Sequence, residues 1–402
     1  MSGPLSGVRV VDMTTVLMGP YATQLLGDLG ADIIKVEPPA GDTVRTIGPA
    51  RNAGMSAIFL NCNRNKRSVV LDLKLDDGRD ALLKLVARAD VLIYNVRPQA
   101  MRRLGLDYED VAAVNPSLLY VGVYGYGQQG PYADKPAYDD LIQGAVGLPM
   151  LGALAGADEP RYVPNAMVDR IVGIHAANAV SAALFERSRS GAGQRIDVPM
   201  FETMAAFVLG DHLNGQTFDP PLAPAGYARL LNEYRRPYAT QDGHVCVLMY
   251  NDKQWRRFFA LVGQAALLEN DARFSTIASR TENIRELYRL VADIMRTRTT
   301  AAWIEALEAA DIPVMPMHTL ESLLEDRHLA AVDFFTVAEH PSEGRLRQMA
   351  PVAQWSRTSP GVFRQAPRLG EHGLEVLREA GLSDAQIAAL EKSGATRLET
   401  GP

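Results

Sequence analysis

Asp169 is a carboxylate at the start of a long helical pattern, where its residue type favours a helix cap and also permits nucleophilic chemistry. It lies in the stretch NAMVDRIVG, and an apolar helical pattern follows it from about Ile171 to Ser188. An aspartate just before a helix is usually an N-cap, whose carboxylate accepts backbone N–H groups. A helix N-terminus also keeps a carboxylate ionised, which a nucleophile requires. The cap and the nucleophile are therefore compatible interpretations of Asp169.

Three groups of cations could hold an anionic ligand. These are Arg97, Arg102 and Arg103 after a predicted strand, Lys135 after a glycine-rich turn, and the run Asn63–Arg67, which carries three cations in five residues. Cations gathered from strand ends suit the phosphates of a nucleotide-like ligand. For each cation taken alone, a solvated surface position is the more common explanation.

The glycine-rich turn Gly125–Gly130 matches the dinucleotide-binding fingerprint by spacing and follows a predicted strand. That fingerprint works through a helix N-terminus that holds the pyrophosphate. Pro131 and Pro136 follow at once, so no helix is expected to continue from the turn. The residues therefore predict a simple turn and no nicotinamide or flavin cofactor.

Alternating strand and helix patterns must position these residues. Helices are predicted at Pro20–Gly30 and Asp77–Ala89, and apolar strands at Val8–Met13, Ile33–Val36, Ser68–Leu73, Val91–Tyr94 and Leu118–Tyr124. Apolar strands that alternate with helices indicate a parallel sheet covered on both faces. The predicted fold class is α/β, with a Rossmann-like doubly wound sheet that binds its ligand at the carboxyl ends of the strands.

The second half of the chain predicts a smaller α+β lobe. Prolines and glycines are dense in Thr217–Tyr227, which marks a boundary. The predicted division is a large lobe at 1–215, a linker at 216–230, a small lobe at 231–325 and a C-terminal return to the large lobe at 326–402. Strands returning to a sheet are expected at Ile312–Leu320 and after Thr336.

Composition limits the function classes. The 402 residues are 47% hydrophobic and 22% charged, with a net charge of −6 that argues against general nucleic-acid binding. Cys62 and Cys246 show no metal-ligand spacing, so no metal site is predicted, and two thiols fit a reducing cytosol. No signal peptide and no apolar run of membrane-spanning length is visible, so a cytoplasmic protein is expected.

Taken in order, these landmarks resemble the family III coenzyme A transferases, which also include the α-methylacyl-CoA racemases. The resemblance covers nearly the whole chain. It implies that Asp169 is the catalytic residue, that coenzyme A (CoA) is a substrate and not a tightly bound cofactor, and that the chain forms an interlocked homodimer. It also implies CoA contacts at Val16, Leu17, Leu71, Asp72, Lys74, Asn95, Val96, Arg97, Arg103, Lys135 and Tyr138.

Tyr138 separates the two branches of the family. The racemases carry a histidine there, which acts with the aspartate on an α-proton, whereas a tyrosine is a poor base at neutral pH. Compared with formyl-CoA transferase, Leu17 replaces a glutamine, Thr15 replaces a histidine, Pro38 replaces an arginine, and Met249–Asp252 lacks a tetraglycine loop. A larger acid than formate or oxalate, such as a dicarboxylate, is therefore expected.

The implied reaction moves CoA from an acyl-CoA donor to a free carboxylic acid through an aspartyl-CoA thioester. The substrates would be an acyl-CoA and a small organic acid, with no nucleic acid and no membrane as partner. An α-methylacyl-CoA epimerase and a non-catalytic CoA-binding protein remain as alternatives.

Overall fold

The computed structural model describes residues 3–399, which form two compact units. Unit 1 consists of the chain up to Val146 together with Val163–Phe207 and the part from His328 onward, and unit 2 consists of Gly147–Tyr162 and Val208–Arg327. The lobe boundaries expected from the sequence remain predictions, and the last three residues of the expected C-terminal return lie outside the described residues. Residues 147–162, which the sequence placed in the large lobe, group here with unit 2.

The first half of the chain alternates strands and helices. In chain order these are β1 (Arg9–Met13), α1 (Met18–Asp28), β2 (Asp32–Glu37), α2 (Ala57–Leu60), β3 (Lys66–Val70), α3 (Asp76–Val86), β4 (Val91–Tyr94), α4 (Pro98–Arg103), α5 (Tyr108–Val114), β5 (Leu119–Tyr124), α6 (Asp139–Ala145), α7 (Leu148–Leu154), α8 (Met167–Ser190), β6 (Gln194–Pro199) and α9 (Met200–His212). Short 3₁₀ turns follow β2 and α9, at Thr43–Thr46 and Asn214–Thr217.

Six strands of unit 1 form one parallel sheet in the order β3-β2-β1-β4-β5-β6. The predicted parallel α/β sheet is thus confirmed, and its order is that of doubly wound nucleotide-binding sheets. The order reverses between β1 and β4. In sheets of this kind the ligand lies outside the carboxyl ends of the strands at that reversal.

Both faces of the sheet are covered, which explains why its strands are so apolar. On one face Val11, Ile34 and Leu92 are fully buried in a core that α3 and α5 share with helices near the C-terminus. On the other face α1 and α8 pack against the sheet and against one another. Gly173 allows this close packing, since a Cβ there would lie 2.8 Å from the Met18 carbonyl oxygen.

The remaining elements follow after a proline-rich stretch. They are β7 (Tyr238–Ala239), β8 (His244–Val247), α10 (Asp252–Leu261), α11 (Leu267–Asn270), α12 (Ile277–Glu282), α13 (Ile284–Met295), α14 (Thr300–Ala309), β9 (Val314–Pro316), α15 (Leu320–Leu324), α16 (Arg327–Ala331), β10 (Phe335–His340), β11 (Gly344–Met349), α17 (Gly373–Glu379) and α18 (Asp384–Ser393). Trp255, Phe258, Phe259 and Trp303 are buried in the core of unit 2. No helix within residues 3–399 is long and apolar enough to span a membrane.

Strands form at both late positions expected from the sequence, but neither joins the main sheet. β9 joins β7 and β8 in a small antiparallel sheet within unit 2, and β10 pairs with β11 as a hairpin. The polarity of the hairpin explains why it stays outside the main sheet. Thr336, Glu339, Arg345 and Arg347 lie on the hairpin, whereas the strands of a sheet covered on both faces are nearly all apolar.

The cationic run before β3 is buried, which corrects the interpretation of a solvated surface run. Arg64 pairs with Asp28 at 2.7 Å, and the Arg67 side chain is only 5% exposed. Arg67 donates to Asp32 at 2.6 Å and to two glutamates of α17 at 2.9 and 3.0 Å. Arg67 therefore holds α17 against β2, and Arg64 is paired with the last residue of α1.

Beneath the carboxyl ends of β1 and β2 lies a cluster of buried charges. Lys66 donates to the Asp12 carboxylate at 3.0 Å, and Lys35 donates to the Asp42 carboxylate at 2.9 Å, with all four side chains fully buried. Burial alone would raise the pKa of Asp12, but the charges of Lys66 and Lys35 outweigh it and lower that pKa. Burial lowers the pKa of Lys66 to about 8, so the pair remains charged at neutral pH.

Arg67→Ala should lower the free energy of unfolding by roughly 2–3 kcal/mol, because it removes three ion pairs and leaves Asp32 and Glu379 with Arg9 as their only cation among residues 3–399. The loss is smaller than for a fully buried pair, since those carboxylates are partly exposed. Urea unfolding measures it. Arg102→Ala, at an exposed position of α4, is the control and should change stability by less than about 0.5 kcal/mol. Equal stability of the two variants would contradict the structural role of Arg67.

Candidate active site

A cavity of about 410 Å³ lies at the carboxyl ends of β1, β4 and β5, where the strand order reverses. Of the predicted site residues, eight line it together: Val16, Leu17, Asn95, Val96, Arg97, Lys135, Tyr138 and Asp169. Four do not: Leu71, Asp72, Lys74 and Arg103. The cavity is therefore built from segments that are far apart in the sequence and meet at one edge of the sheet.

The four predicted contacts outside the cavity have different surroundings. Leu71 is buried in the core, and Asp72 uses its carboxylate to accept the backbone N–H of Lys74. These residues follow β3, which is two strands away from β1 in the sheet. Arg103 is exposed on α4. Their predicted contacts with CoA remain predictions.

The segment between β1 and α1 forms one wall and has an unusual backbone. Val16 has a φ of 70°, a left-handed conformation that is rare and costly for a β-branched residue. Its N–H donates to Asp42 at 3.1 Å, so the buried charge cluster holds this conformation in place. Asn95 braces the same segment, since its amide accepts the Thr15 N–H at 2.9 Å and donates to the Thr15 carbonyl at 2.8 Å.

Two cations face the cavity without an acidic partner among the described residues. Arg97 is exposed where β4 leads into α4. Lys135 lies at the end of the glycine-rich turn, and its Nζ is 3.9 Å from the centre of the Tyr132 ring. Both can therefore form charge-assisted hydrogen bonds with an anionic ligand.

Asp169 lies inside the first turn of α8, not at its N-cap. The cap position is Ala166, which provides no side-chain hydrogen bond. The expectation of an N-cap aspartate was therefore wrong by three positions. Asp169 is nevertheless at the positive end of a 24-residue helix, and its side chain lines the cavity.

The surroundings of Asp169 favour its neutral form. Burial raises the pKa of Asp169 to about 7, and the nearby Asp139 carboxylate contributes in the same direction while Arg170 opposes it. The expectation that the helix N-terminus alone keeps this carboxylate ionised is therefore wrong. A carboxyl group that titrates near neutral pH in a cleft is typical of catalytic sites.

Sequence reasoning missed Asp139 and Gln143. The Asp139 carboxylate accepts the backbone N–H of Asp169 at 2.9 Å and the Gln143 amide at 2.7 Å. The i, i+4 spacing of the two residues could have suggested a pair on α6. Their relation to Asp169 could not be read from the chain, because that residue lies thirty positions away from Asp139.

The site offers no evident place for a metal or dinucleotide. Within the described part of the chain, no group of three or more histidine, cysteine or acidic side chains could hold a metal ion. As predicted, no helix starts at the glycine-rich turn, and the next one is α6. The cations, the carboxylate and the cavity instead suit an anionic acyl-group donor.

Comparison with known proteins identifies the family. Residues 5–373 match the family model described as CoA-transferase family III. This chain belongs to CoA-transferase family III. As a member of the CaiB/BaiF group, this enzyme transfers CoA between acyl-CoA and carboxylic acids.

Characterised relatives of the transferase differ in their acids. The chain is 33% identical to a succinate–glutarate CoA-transferase of Agrobacterium fabrum, covering 94% of this chain and 95% of that protein. It is 32% identical to an acetyl-CoA:oxalate CoA-transferase of Acetobacter aceti, covering 96% and 97%. A crystal structure of a CaiB/BaiF family protein from Brucella suis has a TM-score of 0.79 and 30% identity, covering 94% of this chain and all of that one.

Asp169→Asn should stabilise the transferase at about pH 8 by roughly 1–3 kcal/mol, allowing for partial exposure of the side chain. In the wild type, the stability that protonated Asp169 provides is complete below its unfolded pKa of 3.8 and is lost as pH rises through about 7. Asparagine stays neutral, so the difference should shrink at about pH 4. Thermal unfolding at both pH values measures it. Destabilisation at pH 8 would contradict an unfavourable charge on Asp169 in the folded protein.

Proposed function

We propose that this transferase works through a covalent intermediate on Asp169. The observation that carries the proposal is that the Asp169 carboxylate faces the cavity and accepts no hydrogen bond from residues 3–399. Both oxygens of Asp139, the other carboxylate of the cavity, already accept hydrogen bonds. Asp169 is thus the carboxylate that is free to form a bond.

Each half-reaction consists of two acyl transfers. The ionised Asp169 attacks the thioester carbonyl of the donor and expels CoA thiolate, which leaves a mixed anhydride. The thiolate then attacks the aspartyl carbonyl, so that the donor acid leaves as a carboxylate and an aspartyl-CoA thioester remains. The acceptor carboxylate repeats both steps in reverse order and leaves as its CoA thioester. No proton is gained or lost and no ATP is needed, because one thioester replaces another.

The protonation of Asp169 then sets how much enzyme is ready to react. With a pKa of about 7, about half of the free enzyme carries the reactive carboxylate at neutral pH. The low polarity that raises this pKa also excludes water, which would hydrolyse the anhydride. The same surroundings that make the carboxylate costly to ionise make it a stronger nucleophile once it is ionised.

The CoA moiety is proposed to follow the carboxyl edge of the sheet. Arg97 and Lys135 would hold its pyrophosphate at the cavity, while Val16, Leu17, Asn95 and Val96 line the path toward Asp169. The more distant Leu71, Asp72, Lys74 and Arg103 would contact the far end of the molecule. The sheet rule supports this course, because all these residues follow the carboxyl ends of strands.

The acid is proposed to be a short dicarboxylate longer than oxalate. Three of the four acids named for the two relatives above, succinate, glutarate and oxalate, are dicarboxylates, and the fourth is the acetyl group of acetyl-CoA. Leu17 lines the cavity in place of the glutamine of the formyl-CoA enzymes. An aliphatic side chain there favours methylene groups over a second polar group beside the reacting carboxylate.

A homodimer is also proposed, since unit 1 leaves large apolar side chains in water. Ile174 and Phe185 on α8 are 51% and 66% exposed, and Val352 is 82% exposed. Contiguous exposed apolar surface usually marks an interface. Sedimentation at about 10 nM protein should therefore show a dimer, and Phe185→Asp should shift it toward monomer. A monomeric, fully active wild type at that concentration would contradict this proposal.

Arg97→Ala should raise the Michaelis constant for acyl-CoA about 10- to 100-fold, from the loss of about 1.5–3 kcal/mol of charge-assisted contact. Steady-state kinetics with several donors measures the change. Arg102→Ala provides the control, because Arg102 is equally exposed on α4 but does not line the cavity. An equal effect of both substitutions would show that Arg97 contributes only general charge.

Asp169→Ala and Asp169→Asn should abolish exchange while acyl-CoA still binds, because neither side chain can form the anhydride. Hydroxylamine added during turnover should convert Asp169 of the wild type to a hydroxamate, detectable by peptide mass. Asp140→Asn serves as the control, since Asp140 is exposed next to Asp139. If Asp169→Ala exchanges CoA at the wild-type rate, or if the label appears on another residue, the covalent mechanism is contradicted.

A further inference from the structure

Gln143 is a fully buried amide on α6 whose two ends are both engaged. Its Nε2 donates to the Asp139 carboxylate at 2.7 Å, and its Oε1 accepts the backbone N–H of Val163 at 2.9 Å. Burying an amide without hydrogen-bond partners is unfavourable, so the orientation of the Gln143 amide is strongly specified. Gln143 therefore links a charged side chain to a backbone segment twenty residues away.

The bond to Val163 joins the two ends of a chain excursion. The chain leaves unit 1 after Val146 and returns at Val163. From there backbone hydrogen bonds of 2.7 Å, from Asn165 to Val163 and from Met167 to Asn165, lead directly into α8. The place where Gln143 holds Val163 thus determines where α8 begins, and with it the position of Asp169.

The bond to Asp139 acts on the nucleophile by a second route. The other oxygen of Asp139 accepts the Asp169 N–H at 2.9 Å. Because Gln143 donates to the Asp139 carboxylate, it fixes the orientation of that carboxylate. The Gln143 amide therefore contacts both the segment that leads into α8 and the Asp139 carboxylate, which accepts the backbone N–H of Asp169.

We propose that Gln143 is a positioning residue for CoA transfer, which fixes the direction of the Asp169 carboxylate through Asp139 and Val163. The proposal rests on the proposed nucleophilic role of Asp169. Gln143 itself does not line the cavity, so it acts only through the groups to which it is hydrogen-bonded.

The charged and titratable groups around Asp169 are few. Tyr138, Asp139, Tyr124, Arg97 and Lys135 line the cavity with Asp169, and Arg170 follows Asp169 on α8 with its guanidinium over the Tyr21 ring. Only Asp139 and Arg170 act appreciably on the pKa of Asp169. A change in the pH profile after substitution of Gln143 can therefore be traced to Asp139.

The first test is Gln143→Met, which keeps the length of the side chain and removes its hydrogen bonds with Asp139 and Val163 and the weaker one to the Asn165 carbonyl. We expect kcat to fall about 10- to 100-fold while the Michaelis constant for acyl-CoA stays within about threefold, because orientation is lost and CoA binding is not. Gln24→Met is the matched control. Gln24 is also buried in unit 1 and its Oε1 has no partner, so its loss should leave kcat unchanged.

The second test exchanges the two partners in Asp139→Asn/Gln143→Glu. The new asparagine can accept the Asp169 N–H and donate to the new glutamate, whose other oxygen can accept the Val163 N–H. In either single variant, two donors or two acceptors face each other. The double variant should therefore recover kcat to within about fivefold of wild type. Its rate should also rise at a lower pH, because the negative charge has moved away from Asp169.

The outcomes separate the possibilities. Wild-type kcat in Gln143→Met, or a folded double variant no faster than either single variant, would overturn the positioning role. Should Gln143→Met fail to fold, the comparison of the double variant with the singles decides alone. Hydroxylamine labelling of Asp169 should persist in every folded variant. Absence of that label from the wild type would refute the covalent mechanism itself, whereas a retained label with unchanged kcat defeats only the role of Gln143.

Discussion

Buried charge must be paired, and this requirement shapes the catalytic edge of the sheet. Asp12, Lys66, Lys35 and Asp42 sit beneath the carboxyl ends of the first strands with no access to water. Each charge is tolerable only because its partner comes from another element, so β1, β2, β3 and the turn after β2 are locked together. The Asp42 carboxylate oxygen that does not pair with Lys35 accepts the Val16 N–H and stabilises the left-handed backbone conformation of Val16. The Lys35–Asp42 ion pair thus stabilises the wall of the cavity without lining it.

Asp12 and Asp169 lie in contrasting electrostatic surroundings. Asp12 has two ammonium groups and two threonine hydroxyls around it, and its pKa is lowered in spite of complete burial. Asp169 has a second carboxylate for a neighbour and a single arginine to oppose it, and its pKa is raised to about 7. The charge of Asp12 is thus satisfied by its neighbours, whereas that of Asp169 is not, which suits the reactive role proposed for Asp169.

Much of the fold follows from local pattern, but the site does so only in part. The apolar strands and the helices between them predict the parallel sheet, because a strand covered on both faces has little choice of residue. The run Asn63–Arg67 was misread since its partners, such as Asp28 and Asp32, are distant in the chain. The start of α8 was misplaced because Ala166 gives no capping signal. Gln143 was invisible for the same reason as the arginines: its importance lies in contacts that only the folded chain creates.

Residues 147–162 leave unit 1 and return to it at two points held together from within that unit. Because the ends of this segment are held together, a change in its length alters the entropy of loop closure only logarithmically. Such a change should therefore have little effect on where α8 begins and on the position of Asp169.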